Sequence, residues 1–419
     1  MIRWSLVLVA SVVSVLPSAL LAAPARAEPP LASITLAQAL QLALVHNTDS
    51  RGADEDVISA GGALDQSRLL PNPSVFVSSL GRGVSPFMGP TPTQLGVTWT
   101  IPIGGKRGAG IDAARAGVDA ARATRIAARR QVQISVEKAF VAVLLDQALL
   151  EFARQDATGI HDALALNELR YKDGKIAYSD VLKLRLQVRA VEDTVRTGQL
   201  QLANDRLELA RLVGESTLAA DYAVTGELTP PVLAAPPVAD ELLAKALHSR
   251  TDYQALLAQE QNLEALASQA RRQPIPDLGV LVDYDHVAGE PSAYDVTLTA
   301  SIPILDRNQG NITQAESAAR KAKLATEALR IQVREDVRSA VNGWNTSHAR
   351  LAAYDDDILA TAKESLAITN HAYEQGRGSL LDYLDAESSY RDVERAYRSV
   401  VADALNAAAM LRFVAGEDL

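Results

Sequence analysis

The side chains in this sequence best placed to do chemistry are carboxylates. Asp382 and Asp385 stand three residues apart, the spacing that sets two side chains on one helix face. Asp180 lies in a related stretch about 200 residues earlier. Gathered around an axis in several copies, such acids repel one another and favour a cation passing between them. The same residue type also caps the start of a helix, so both roles are open from the sequence. No catalytic constellation accompanies them. The six histidines, at 46, 161, 248, 286, 348 and 371, form no His-x-x-x-His or Glu-x-x-His pair. His371 and Glu374 have a spacing that can clasp a metal, but a solvated helix face accounts for them better. There is no cysteine, which removes disulfides, thiol catalysis and cysteine-ligated metal. The Gly-rich stretch from Gly81 to Gly89 lacks the lysine and helix start of a phosphate loop. Asp355-Asp356-Asp357 reads as a solvated charge run. The expectation is a protein that is not an enzyme, with no cofactor and no resident metal.

The acids sit in a repeated element. Tyr373-Glu-Gln-Gly-Arg-Gly-Ser-Leu-Leu-Asp382 has a near twin in Tyr171-Lys-Asp-Gly-Lys-Ile-Ala-Tyr-Ser-Asp180. In each, a tyrosine precedes a glycine by three, a basic residue follows (Lys175, Arg377), and an aspartate stands six beyond the glycine. Gly174 and Gly376 suit the left-handed backbone of a tight helix-to-helix turn. Other landmarks repeat at nearly the same offset. Thr48-Asp49 matches Thr251-Asp252, Arg68-x-x-Pro71-x-Pro73 matches Arg271-x-x-Pro274-x-Pro276, and Ile101-Pro102-Ile103 matches Ile302-Pro303-Ile304. The chain is therefore a duplication.

Composition bounds the rest. Of 419 residues, 48% are hydrophobic and 22% charged, enough for an ample core. Residues 1–27 combine a charged start, the apolar run Leu6 to Leu16 and Ala25-Arg26-Ala27; this is the pattern of a secretory signal peptide. No later run has 18 consecutive apolar residues, so no membrane-spanning helix is expected. A net charge of −10 argues against nucleic acid as partner, which needs a basic surface.

Each half offers the same parts in the same order. The first repeat covers 28–214, a Pro/Ala-rich linker 215–238, and the second repeat 239–419. One helical stretch runs from about Ile34 to Leu70 and stops at Pro71-Asn72-Pro73. Period-2 strands follow at about 72–82 and 93–102, with Leu95, Val97, Trp99 and Ile101 on one face. Their counterparts are at about 277–287 and 293–303. Helical hairpins then span about 107–213, with its tip at 171–180, and 309–415, with its tip at 373–382. A 65-residue helical arm is on the order of 100 Å long and needs a coiled-coil-like partner. Val181, Leu184, Val188, Val191, Val195, Leu202 and Leu209 supply such a seam, and ten positions from Tyr383 to Val414 supply another.

Strands of about ten residues fit a tilted crossing of an outer membrane. Four strands cannot close a barrel, and open edges are not tolerated in lipid. Closure therefore needs several copies, with apolar side chains outward, Thr, Ser and Gly toward a wet lumen, and Trp99 in an interfacial girdle. An ordinary antiparallel sheet with one wet face and a coiled-coil surface protein are the alternatives.

The duplicated plan resembles the TolC family of outer-membrane efflux channels. Leu36-x-x-Ala39-Leu40-x-x-Ala43-x-x-x-Asn47 is similar to the family's opening signature, and the two Tyr-x-x-Gly-x-x-x-x-x-Asp tips resemble its periplasmic turns. The resemblance covers essentially all of the chain after the signal. It implies a mainly α fold with an outer-membrane β-barrel: a homotrimer with a shared twelve-stranded barrel and a periplasmic α-helical barrel. It also implies a periplasmic adaptor (membrane fusion) protein, an inner-membrane resistance-nodulation-division pump and surrounding outer-membrane lipid as partners. Ile103-Gly104-Gly105-Lys106-Arg107 and Pro303-Ile304-Leu305-Asp306-Arg307-Asn308-Gln309-Gly310 look most like the CzcC-type heavy-metal branch, with export of drugs as the alternative. By resemblance, Asp382 and Asp385 line the periplasmic aperture, and Tyr373 of one hairpin bonds Asp180 of its neighbour. Tyr171, Gly174, Lys175, Gly376 and Arg377 form the turns that meet the adaptor. One departure stands out: the resemblance leads to a basic latch two places beyond Gly376, where this chain has Gly378, with Arg377 adjacent.

Overall fold

A computed structural model describes residues 31–79, 93–214, 218–231, 238–286, 291–354 and 356–417. The expected signal peptide, the Gly81–Gly89 loop and Asp355 lie outside the described residues.

The two strand pairs join into one sheet. β2 (Ser74–Ser79), β3 (Thr93–Ile101), β5 (Leu278–His286) and β6 (Ala293–Ala300) run antiparallel in the order β2-β3-β5-β6. The register sorts their side chains by chemistry. Val75, Val97, Val282 and Val296 fall in one row, and Val77, Leu95, Tyr284 and Tyr294 in the next on the same face. Most of these apolar side chains are exposed. The opposite face carries Ser74, Thr98, Leu281 and Thr297 in one row and Phe76, Gly96, Asp283 and Asp295 in another. Gly96 has a steric reason: a Cβ there would stand 2.5 Å from the Phe76 ring and 2.7 Å from Asp283. Trp99 donates its indole N–H to the Pro71 carbonyl at 2.8 Å, near the strand end where the helices begin.

Helices leave the sheet through left-handed turns. Gly104 and Gly105 have φ of 66° and 75°, and Asn308, the repeat partner of Gly105, has φ of 58°. Lys106 then pairs with Asp277 at 2.8 Å. α3 (Lys106–Lys172) has 67 residues, about 100 Å of helix, and α4 (Tyr178–Val213) returns along it. Val181, Leu184, Val188, Val191, Leu202 and Leu209 are all buried, as the seam requires. In the second repeat α9 (Leu380–Ala415) packs against both α3 and the arm opposite it.

That opposite arm differs from expectation. The continuous helix expected over 309–373 is two, α7 (Gln309–Ala353) and α8 (Asp356–Glu374). α7 ends at its cap Tyr354, whose N–H is shared among the carbonyls of Arg350, Leu351 and Ala352. The first repeat has Phe152-Ala-Arg-Gln155 at the matching place, and α3 continues unbroken.

Two further expectations need correction. The stretch from Ile34 to Leu70 is divided into α1 (Leu36–His46) and α2 (Thr48–Ser67). Asn47 ends one helix and caps the other, accepting from the N–H groups of Asp49 and Ser50 at 2.9 and 3.3 Å. Its amide also donates to the Leu212 carbonyl at 3.0 Å in a buried contact. The second repeat has α5 (Ala239–Ser249) and α6 (Thr251–Arg272) there, with Arg250 at the junction, buried and paired with Asp252 and Asp336 at 2.7 Å.

Within the expected 215–238 linker, the described residues include a strand. β4 (Leu218–Val224) pairs in parallel with β1 (Leu31–Ile34), because Leu218, Tyr222 and Val224 alternate into a core with Ile34, Val136, Phe140 and Val143. The Tyr222 hydroxyl donates to the Arg206 carbonyl at 2.7 Å, and burial pushes it up to about 12.

The helices form a layer with two unpartnered sides. Toward the tips the order is α4, α3, α9, then α7 and α8; near the sheet it is α2, α3, α6, α7. Asn47→Ala removes a cap and a buried hydrogen bond together. The expected cost is about 2–3 kcal/mol, read as a lower unfolding midpoint in urea.

Candidate functional site at the hairpin tips

Both tips close by the same backbone device. At the first, Lys175 N–H donates to the Arg170 carbonyl at 2.9 Å and Gly174 N–H to the Tyr171 carbonyl at 2.9 Å. At the second, Arg377 N–H reaches Ala372 at 2.9 Å and Gly376 N–H reaches Tyr373 at 3.0 Å. This paired pattern is a Schellman motif, which places a residue at positive φ after the helix. Gly174 and Gly376 have φ of 72° and 73°. Tyr171 is exposed and tilted against Tyr178, ring centroids 5.3 Å apart. Lys175 pairs with Asp173 at 3.2 Å, and Arg377 is exposed.

The returning helices start differently. Ser379 caps α9: its hydroxyl accepts from Asp382 N–H at 3.1 Å, while Ser379 N–H reaches back to the Asp382 carboxylate at 3.4 Å. The repeat partner of Ser379 is Ala177, which offers no side-chain cap. Asp180 accordingly pairs with Lys183 at 3.3 Å. Asp382 is thus a cap, yet its carboxylate remains exposed, and Asp385 lies exposed one turn further on.

Tyr373 is the buried centre of the tip. Its ring stacks on Tyr383 at 5.4 Å with an interplanar angle of 9°, and Arg170 lies over it at 5.1 Å. Within one chain the expected Tyr373–Asp180 bond is not made. The Tyr373 hydroxyl donates to the Asn167 side-chain oxygen instead, because Asn167 faces it from α3 with no exposed surface. Burial pushes the phenol upward from its ordinary value. Arg170 also donates to the carbonyls of Tyr373 and Glu374, at 3.2 and 2.6 Å. It thereby satisfies the C-terminal end of α8 from the other hairpin. A cleft of about 550 Å³ remains between the tips, lined by Arg170, Lys175, Asp180, Lys183, Tyr373 and Glu374 among others.

Asn167 and Arg170 escaped the sequence reading. The visible signal was a seam, Ile160, Leu164, Asn167 and Tyr171 at spacings of 4, 3 and 4, with one amide among apolar side chains. Within one chain the basic residue that holds the second tip is Arg170 of α3. A Cβ on Gly378 would stand 3.2–3.3 Å from the backbone of Tyr373 and Ala372, so a bulky latch there would be crowded. Among the described residues no group of three or more His, Asp or Glu could hold a metal ion, and no helix is long and apolar enough to cross a membrane.

Comparison with known proteins converges on one family. The model for "Outer membrane efflux protein" matches residues 39–215 and again 242–417, once per repeat. The chain is 27% identical over 385 residues to the cobalt-zinc-cadmium resistance protein CzcC of Cupriavidus metallidurans, covering 91% of this chain and 90% of that one. It is 26% identical to the nickel-cobalt-cadmium resistance protein NccC of Alcaligenes xylosoxydans xylosoxydans, covering 75% of this chain and 70% of that one. The fold matches the crystal structure of the outer membrane protein VceC from Vibrio cholerae, with a TM-score of 0.73, 21% identity, and 91% and 96% of the two chains covered.

Tyr373→Phe leaves the buried Asn167 oxygen without its donor, at a cost of about 1–2 kcal/mol. Amides of residues 371–380 are expected to exchange roughly 5–30 times faster in hydrogen-exchange mass spectrometry, with the strands unaffected.

Proposed function

The chain belongs to the outer membrane efflux protein family, and from that premise we propose that it is the exit duct for heavy-metal cations in a tripartite efflux system. As a family member it is a transport channel and not an enzyme. The observation that carries the detailed reading is the register of the four strands: one face apolar and mostly exposed, the other mainly polar with Asp283, Asp285 and Asp295 among Leu281 and Phe76, both outer edges unpaired. Such a sheet fits lipid on one side and water on the other, and its edges call for neighbouring copies.

Three copies give a twelve-stranded barrel in the outer membrane and, below it, a helical barrel reaching into the periplasm. The unpartnered sides of the helix layer suit the same closure. α4 exposes Leu182, Leu186, Leu200 and Leu207 on one side, and α7 exposes Leu324 and Ile331 on the other. The periplasmic end would then be formed by the tips, with Asp382 and Asp385 around the aperture. Tyr171, Gly174, Lys175, Gly376 and Arg377 would face an adaptor, and through it an inner-membrane resistance-nodulation-division pump that supplies the energy.

Metal cations are the cargo favoured by two lines of support. The relatives CzcC and NccC are by name resistance proteins for cobalt, zinc, cadmium and nickel. The wet face of the sheet carries Asp283 directly opposite Asp295, with Asp285 two residues on. Like charges directly across a strand pair destabilise it unless cations or water compensate them.

Deletion is expected to sensitise cells to divalent metals while leaving growth on hydrophobic drugs and dyes unchanged; the opposite pattern would make organic molecules the cargo. Replacing Asp382 and Asp385 together by Ala is expected to raise single-channel conductance in lipid bilayers or to make block by multivalent cations severalfold weaker. No change in either would leave the two aspartates without a role at the aperture.

A further inference from the structure

Near the tips, where α9 packs on α3, two acids share one base. Arg391 Nη1 lies 3.3 Å from Asp156 and 3.2 Å from Glu387. All three side chains are nearly out of water, at 12%, 9% and 7% exposure for Arg391, Asp156 and Glu387. The Gln187 amide of α4, oriented to satisfy both its ends, accepts from the same guanidinium at 3.0 and 3.3 Å. A cavity of about 230 Å³ adjoins the cluster, lined mainly by Phe152, Ile160, Leu366, Tyr383 and Tyr390, with the neutral amide of Gln155 the one further polar side chain.

The charge count does not close if both acids are ionised. One guanidinium would face two carboxylates in a nearly buried site, and Glu387 Oε2 is buried with no hydrogen-bond partner. An uncompensated buried charge is far more costly than a neutral hydrogen-bonded acid. A proton on Glu387, donated to Asp156, removes the surplus charge and satisfies the orphan oxygen in one step.

We propose that Asp156 and Glu387 share a single proton, and that this proton fastens the second hairpin to the first, making the packing of α9 on α3 a pH-responsive joint beside the tips. Opening the joint by base is a simple transfer. The Glu387 O–H bond breaks, the proton passes to hydroxide, and two carboxylates are left on Arg391.

The other groups around the joint set its range. Burial and Asp156 on α3 oppose ionisation, Arg391 and Arg395 on α9 favour it, and the balance pushes Glu387 up to about 8. From α4 the facing group is the neutral Gln187, and α8 presents apolar Leu366 to the cavity. Tyr383 is pushed up to about 12 and stays neutral throughout. The sign follows from linkage: the docked state holds a proton that an exposed carboxylate loses near its ordinary value. Docking therefore weakens as pH rises above the ordinary carboxylate range, roughly tenfold per pH unit, and levels off above about pH 8. A second acid pair, Asp146 with Asp205, lies inside the first hairpin, where its neighbour and burial push Asp146 up to about 7. It does not bridge the hairpins.

The joint lies within one chain, so its behaviour does not depend on what passes through the duct. Hydrogen-exchange mass spectrometry on the full-length protein in detergent, from pH 6.0 to 9.5 and corrected for intrinsic exchange chemistry, reads it directly. Protection in 150–160 and 383–395 is expected to fall roughly a hundredfold between pH 6 and 8 and then level off. Glu387→Gln, the neutral isostere, should keep high protection at every pH. An infrared band of a protonated carboxylic acid at pH 7.5 should be present in the parent protein and weakened in both Glu387→Gln and Asp156→Asn. Asp156→Asn guards against a folding defect peculiar to the first variant. Flat protection in the parent protein, or the same fall in Glu387→Gln, would overturn the proposal.

Discussion

The rest of the structure depends on one constraint: a backbone N–H or C=O in lipid must find a partner in protein. The sheet β2-β3-β5-β6 is apolar along one face and ends in two unpaired strands. Neither end can stay open in a membrane, and four strands cannot curl far enough to meet each other. The duplication supplies one strand pair per repeat, and β3 and β5 join the pairs across the repeat boundary. What remains is an edge at each end, which copies of the same chain can satisfy. The helix layer carries the same incompleteness downward, with α4 on one side and α7 and α8 on the other.

α3 is the spine that transmits this arrangement from sheet to tip. It packs against α2 and α6 near the strands, against α4 along the hairpin, and against α9 toward the tip. Polar contacts mark each stage: Lys106 to Asp277 at the sheet, Arg412 to the buried Glu137 at 2.5 Å in the middle, and Asn167 and Arg170 to Tyr373 at the tip. The two repeats are alike in backbone and unlike in chemistry. Identical Schellman turns are followed by a capped α9 with exposed Asp382 and Asp385, and by an α4 whose Asp180 is neutralised by Lys183.

What the sequence made legible was whatever repeats with a period. Alternation located all four strands of the larger sheet, and heptad spacing located the seams of α4 and α9. The Tyr-to-Asp spacing located the tips, including the positive φ of Gly174 and Gly376. Features set by a single residue were hidden. Asn47 splits α1 from α2 because its side chain satisfies N–H groups of one helix and a carbonyl of another, and nothing periodic announces that. β4 was concealed by flanking prolines and alanines, although Leu218, Tyr222 and Val224 carry its alternation. The break before α8, where Tyr354 ends α7, interrupts no hydrophobic period in the sequence and so was not announced. Arg170 of α3 is joined to Tyr373 across about 200 residues of sequence, and contacts at that separation are not visible without the fold.

Closure by three copies is the central claim, and the chain's lack of cysteine makes it directly measurable. Single cysteines would be introduced in pairs, one scanned along β2 and one along β6, followed by disulfide formation in membranes and non-reducing electrophoresis. The account predicts covalent ladders of one, two and three chains that stop at three, for pairs whose rows meet across the β2–β6 edge. Ladders that stop at two, or run on past three, or never exceed a single chain, would contradict it.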